Sequence, residues 1–173
     1  MIEVRSSLGP VAFSTDGLSG WLEVCLRDGL VTREATPLAH LEVRVNDLRS
    51  GNSMFDRELL RRADARRFPL VVAELGSLEH MGEGNCYRVW GDVSFHGAVS
   101  RLEGVITATV TDPPVGQRPS RARARSIIVT GEQMMDVRDF ELSVPAMPMF
   151  KIYPDVRVRL HLEADEVEGT RSG

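Results

Sequence analysis

The chain has 173 residues, 42% of them hydrophobic and 27% charged, with a formal net charge of -4; that is enough for one domain burying about 70% of its unfolded surface, and the balance argues against bulk nucleic-acid binding. Two cysteines, Cys25 and Cys86, are too few for a disulfide framework, and no apolar run approaches the roughly 18 residues of a membrane-spanning helix. The opening MIEVRSSLGP carries an acid and a base before the Gly9-Pro10 break and no apolar stretch, so no secretion signal is read. A cytoplasmic protein with reduced thiols is expected, as a single domain over 1–173 with a disordered tail from about 166 to 173.

Along the chain the period is two, as a strand with one wet and one dry face requires. In WLEVCLR the apolar set is Leu22, Val24 and Leu26, and in HLEVRVND it is Leu41, Val43 and Val45. One stretch breaks this rhythm: from Ser53, a plausible N-cap, to about Arg67 the residues are helix formers with Asp56 and Glu58 in the first turn, and Phe68-Pro69 ends the run. The alternation resumes in YRVWGDVSFHG with Val89, Val93 and Phe95, continues through LEGVITATV (102–110) and SIIVTGEQMM (126–135), and is clearest in DVRVRLHLEAD. There Val156, Val158, Leu160 and Leu162 oppose Arg157, Arg159, His161 and Glu163. Turn residues separate the segments at Asp28-Gly29, Gly82-Glu83-Gly84 and the Pro113-Pro114 to Pro119 loop. A mainly antiparallel all-β fold with one short helix at about 53–67 follows. With so little helix to cover the apolar faces, a sheet curled into a barrel is favoured, and a sandwich is the alternative.

Three blocks carry a resemblance. They are Ser50-Gly51-Asn52 with Asp56, Leu59 and Leu60, leading to Arg67-Phe68-Pro69; Tyr87-Arg88-Val89-Trp90-Gly91-Asp92 leading to Phe95-His96-Gly97; and Arg138-Asp139-Phe140 leading to Tyr153-Pro154-Asp155-Val156. In this order, over roughly residues 40 to 165, the chain resembles the YceI-like family. The resemblance implies a lipocalin-like extended β-barrel with one helix packed across it, an interior tunnel for isoprenoid or other long amphiphilic lipids, and a homodimer. The chain departs from the family at two places. The N-terminal strand is shortened to Val11-Ala12-Phe13-Ser14, and the glycine usual after the Asp-Phe pair is Glu141.

Asp56, Arg57 and Glu58 offer acid and base groups, but with Arg61 and Arg62 one turn on they read more simply as a solvated helical face; Met54, Leu59 and Leu60 would then cover a barrel mouth. The histidines, His40, His80, His96 and His161, lack metal-ligand spacing. His96 either meets a ligand's polar end or, the preferred reading, caps a turn. Asp136, Arg138 and Asp139 read as internal ion pairs. Arg118, Arg121, Arg123 and Arg125 form a basic segment suited to phosphate or to a membrane surface, or to blunting an edge strand. PAMPMFKIYP is the stretch best suited to lipid, with adaptable methionines and with Lys151, the only lysine, placed to meet an anionic head.

These readings converge on a carrier of an isoprenoid or fatty-acyl small molecule. The expected tunnel lining is Val43, Val89, Val93, Phe95, Met134 with Met135, Met147, Met149, Phe150, Val158 and Leu160, with His96, Lys151 and Tyr153 at the mouth. No catalytic residue, metal or cofactor is expected, and peripheral membrane contact and homodimerisation are. Two alternatives stand beside it: an isomerase or hydrolase acting through His96 or Asp139, and a filled barrel that works through its surface.

Overall fold

The alternation read from the sequence is realised as one long curled sheet. The computed structural model describes residues 1–32, 36–82, 84–112, 125–144, 146–147 and 150–167, with the backbone alone at 146, 147 and 150. The described strands are β1 (Ile2–Ser6), β2 (Val11–Phe13), β3 (Leu18–Glu23), β4 (Cys25–Arg27), β5 (Leu30–Thr32), β6 (Leu38–Arg44), β7 (Leu70–His80), β8 (Cys86–Phe95), β9 (Ala98–Thr111), β10 (Ser126–Asp136), β11 (Ala146–Met147) and β12 (Phe150–Asp165). Helix α1 (Ser53–Arg62) lies between β6 and β7, and 3₁₀ turns occupy Val45–Asp47 and Val137–Phe140.

The order across the sheet is β2-β1-β12-β10-β9-β8-β7-β6-β3, with β11 beside the start of β12 and β4–β5 as a separate hairpin. Every pairing is antiparallel. The sheet turns back on itself: beyond β2, Ser14 bridges Arg49, just past β6, through two backbone hydrogen bonds of 2.8 and 2.9 Å. A single sheet closing in this way is the lipocalin-like barrel arrangement rather than a sandwich of two sheets.

Cross-strand partners share a face, so the register sorts the side chains. From β12 outward, Val158 pairs with Gln133, Leu160 with Gly131 and Leu162 with Val129. Val129 pairs with Ala108 and Gly131 with Ile106, and Ile106 with Tyr87. Leu78 faces Val89 across a bulge at Gly76, and Ala73 faces Leu41. Two apolar clusters fill the ends of the curl. One joins buried Val31, Leu78, Tyr87, Ala108, Ile127 and Val129, with the Tyr87 hydroxyl accepting from the Val31 N–H at 2.9 Å. The other joins Val45, Ala63 and Ala65 with half-buried Leu60, Val71 and Phe95, and so seats the segment after α1 against the sheet.

Three local expectations change. The helix ends at Arg62 rather than near Arg67, because Asp64 takes φ +41 and its carbonyl accepts the N–H groups of Arg67 and Phe68, each at 2.8 Å, as a turn. Its N-cap is Asn52, whose side chain accepts from the Met54 N–H at 2.9 Å, with Ser53 already helical. WLEVCLR is not one strand: the ladder stops at Glu23, and Leu26 belongs to the β4–β5 hairpin, although Leu22, Val24 and Leu26 all still pack on the Tyr87 cluster. Both cysteines are free thiols.

Candidate ligand chamber

Between the two end clusters the inward face changes character. Leu41, Val43, Ala73, Leu75, Val93, Leu102, Met135 and Val158 all face inward by register, yet each is only half-buried. Glycines replace side chains on three neighbouring strands, at Gly91, Gly104 and Gly131. Over β1, β2, β3, β6, β7, β8, β9, β10 and β12 no inward-facing residue from Ile2 to Ala164 that is described is Asp, Glu, Lys or Arg. An apolar wall left partly open can exchange water for an apolar guest at roughly 25 cal/mol per Å² of area covered, and it offers an ion nothing to pair with.

The predicted lining is partly assembled there. Val43, Val93 and Val158 stand on the open middle, and Phe95 on the edge of the Val45 cluster. Val89 and Leu160 pack on the edge of the Tyr87 cluster. Met134 is separated from them: it pairs with Arg157, shares the charged outer face with Glu132 and Arg159, and is 44% exposed. The strand parity that sends Val158 inward sends Met134 outward, and Met135 takes the inward position. Met149 lies outside the described residues, as do Arg118, Arg121 and Arg123; of Met147 and Phe150 only the backbone is described.

Of the residues expected at the mouth, Lys151 Nζ lies 5.1 Å from the centre of the half-buried Tyr153 ring, and Arg5 Cζ lies 5.4 Å from the same centre; Arg5 also borders a recess with Glu3, Met134 and Arg157 of the outer face, and neither Lys151 nor Arg5 makes an ion pair among the described residues. Sequence reasoning missed Arg5, since only the β1–β12 pairing brings it to Tyr153. His96 sits at φ +54 in the turn from β8 to β9, followed by Gly97 at φ +87. Its ring lies 4.5 Å from the Phe68 ring, and its Nδ1 is 3.1 Å from the Phe140 carbonyl. Asp139 is exposed on the second 3₁₀ turn, and no group of three potential metal ligands is found among the described residues.

The charged groups singled out in the sequence form surface pairs. Glu58 takes Arg61 and Arg62 as partners, and hydrogen bonds from Arg61, then Arg62, hold its carboxyl at about 2. Asp136 accepts from Arg138, which keeps its carboxyl below the usual range. Arg125 donates to Asp112 at 2.6 Å. On the outer face Arg157 and Arg159 lie 3.1 and 2.8 Å from Glu132. No helix is long and apolar enough to cross a membrane among the described residues.

No protein-family model and no curated protein sequence matches the chain. Solved structures do. The chain is similar to BcnA of Burkholderia cenocepacia, at 15% identity and TM-score 0.70 over 94% of each chain. It is similar to a YceI protein of Campylobacter jejuni at 14% identity and TM-score 0.69, over 91% of this chain and 86% of that one. A polyisoprenoid-binding domain from Saccharophagus degradans matches at 14% identity and TM-score 0.64, over 95% and 92%. The YceI-like fold expected from the three sequence blocks is thus the fold of this chain.

Proposed function

We propose that this protein is a carrier that holds an isoprenoid or fatty-acyl chain in the middle of its curled sheet. The observation that carries this reading is the charge-free inward face that stays half-buried between two filled ends. The likeness of the fold to a polyisoprenoid-binding domain supports the same class of guest. Val43, Val93, Phe95 and Val158 line the chain, and Lys151 and Tyr153 meet its head, with His96 holding the adjoining turn. Binding then needs no bond to be made or broken.

Native purification, organic extraction and mass spectrometry of the extract test this directly. A stoichiometric polyprenyl or acyl species is expected. An empty extract, together with no uptake of added lipid, would leave a filled barrel working through its surface. A Val43→Asp, Val158→Asp double variant that remains folded should lose uptake, because it puts unpaired charge on the wall.

A further inference from the structure

The recess beside Arg5 is built on the outer face, away from the chamber. Glu3 pairs with Arg157 on β12, and Arg157 with Met134 on β10, so the three stand side by side across the sheet. The turn from β1 to β2 adds Ser6, Gly9 and Pro10. With Arg5 these residues bound about 280 Å³, near the lower end of the range for small-molecule clefts, about 300 Å³. Met134, 44% exposed, and Pro10 give the recess an apolar wall.

The arginine donors of the recess are unspent. Ser6 uses its hydroxyl within the turn, donating to the Gly9 carbonyl and accepting the Leu8 N–H. Arg5 rests against the Tyr153 ring, 5.4 Å from its centre, and donates no hydrogen bond among the described residues. Arg157 donates none either. Its Nε is buried and unbonded, 3.1 Å from Glu132 without the alignment of a hydrogen bond, and its Nη1 stays 3.8 Å from Glu3. Glu132 is bonded to Arg159 instead, at 2.8 Å. A buried N–H left unmet costs stability until an acceptor completes it.

Charge points the same way. Among the lining groups and their ion-pair partners, the guanidinium groups of Arg5, Arg157 and Arg159 face the carboxylates of Glu3 and Glu132, which leaves one positive charge unmet. Guanidinium forks suit paired acceptor oxygens, and Glu3, which also lines the recess, opposes a second negative charge there. We infer that this recess is a second binding site, for a singly charged oxyanion, a carboxylate or a phosphodiester, whose attached carbon chain lies on Met134 and Pro10. The site is separate from the chamber and does not depend on the carrier reading. It gives Met134, which strand parity keeps off the inner wall, an apolar contact to make.

The test titrates the full-length protein with octanoate and follows the Nε–Hε signals of Arg5 and Arg157 in ¹H–¹⁵N spectra, which report on the recess rather than on the chamber. Octanoate should move both signals and bind more tightly than uncharged octanol. It should also bind roughly tenfold more tightly than acetate, the gain from burying about two methylene groups. Arg5→Gln, which breaks no ion pair among the described residues, should weaken octanoate about tenfold, as loss of one charge-assisted hydrogen bond does. Met134→Ser should bring octanoate down toward acetate. Dihexanoylphosphatidylglycerol, kept below its micelle concentration, separates the sources: preference for it marks a lipid headgroup, and preference for octanoate marks a free carboxylate. Signals that ignore both anions, octanol or acetate binding as tightly as octanoate, or unaltered binding in both variants would overturn the site.

Discussion

Ser50 and Asp56 are joined twice: the Ser50 backbone N–H and hydroxyl both donate to Asp56 Oδ1, at 2.7 and 2.6 Å. With Asn52 capping the Met54 N–H, these contacts give Asp56, one of the acid groups weighed in the sequence, a structural partner in the turn that leads into α1. The hydrogen bonds from Ser50 hold the Asp56 carboxyl below its usual range. Asn52→Ala should therefore cost about 1 kcal/mol of stability, the ordinary worth of a cap, and Asp56→Ala should lower the melting temperature without changing ligand retention. Loss of retention at an unchanged melting temperature would restore a direct role in binding.

Gly91 should be far less replaceable than Gly76, although both sit at the same bulge. A Cβ on Gly91 would overlap the Glu74 carbonyl oxygen, which is backbone and has nowhere to go, while at Gly76 the nearest atom is the Trp90 carbonyl at 3.5 Å. Gly91→Ala should destabilise by about 1–3 kcal/mol, as overpacking does, and Gly76→Ala by much less. Denaturant unfolding of the pair measures the difference, and equal midpoints would contradict the close approach of β7 and β8.

Glu141 occupies a left-handed conformation, φ +58, at the end of the turn that starts with Asp136. A side chain there costs roughly 1–2 kcal/mol that glycine avoids. Glu141→Gly should raise the melting temperature, reaching at most about 1 kcal/mol once the extra freedom of the unfolded glycine is counted. A lowered melting temperature would mean that the Glu141 side chain makes a contact worth more than the strain.

Glu58 gives a pH dependence of defined sign. Its folded value of about 2 lies below its ordinary 4.5, so its contribution is present above pH 4.5 and is lost as pH falls toward 2. The side chain is about one-third exposed, which limits the effect to about 0.5 kcal/mol after screening. Melting curves across that interval should show the wild type losing slightly more stability than Glu58→Gln, and parallel curves would show that the Arg61 and Arg62 pairs contribute nothing. His40 runs the other way: the hydrogen bonds it donates to Glu42 and then Glu74 raise it, so its pairing stabilises below its ordinary 6.5 and fades as pH rises past its folded value.

The strands were legible wherever alternation ran unbroken. DVRVRLHLEAD sorts itself into Val156, Val158, Leu160 and Leu162 against Arg157, Arg159 and Glu163, and the register agrees. What failed was local. Nothing in SMFDRELLRRADARR marks Asp64 as the residue that turns left-handed and stops the helix early. Two adjacent methionines look alike in sequence, and only pairing to Arg157 and Val156 tells Met134 from Met135. The same parity, counted back from Val129, would have put Gln133 on the inner wall, but a glutamine among methionines reads as solvent-facing until its partner strand is known. Arg5 was invisible for a different reason: it meets Tyr153 across 148 positions of chain, and long-range pairing leaves no local trace.

The Ser14–Arg49 bridge makes the curl an asymmetric enclosure. The β10–β12 seam is stitched along eleven consecutive pairs, from Ser126–Asp165 to Asp136–Asp155, whereas beyond β2 the described residues are held to the far side by two backbone hydrogen bonds. On the carrier reading proposed above, swelling of the interior is cheapest there, as with a cuff fastened by one button, and a guest of greater girth would be accommodated by loosening that fastening while every long ladder stays in register.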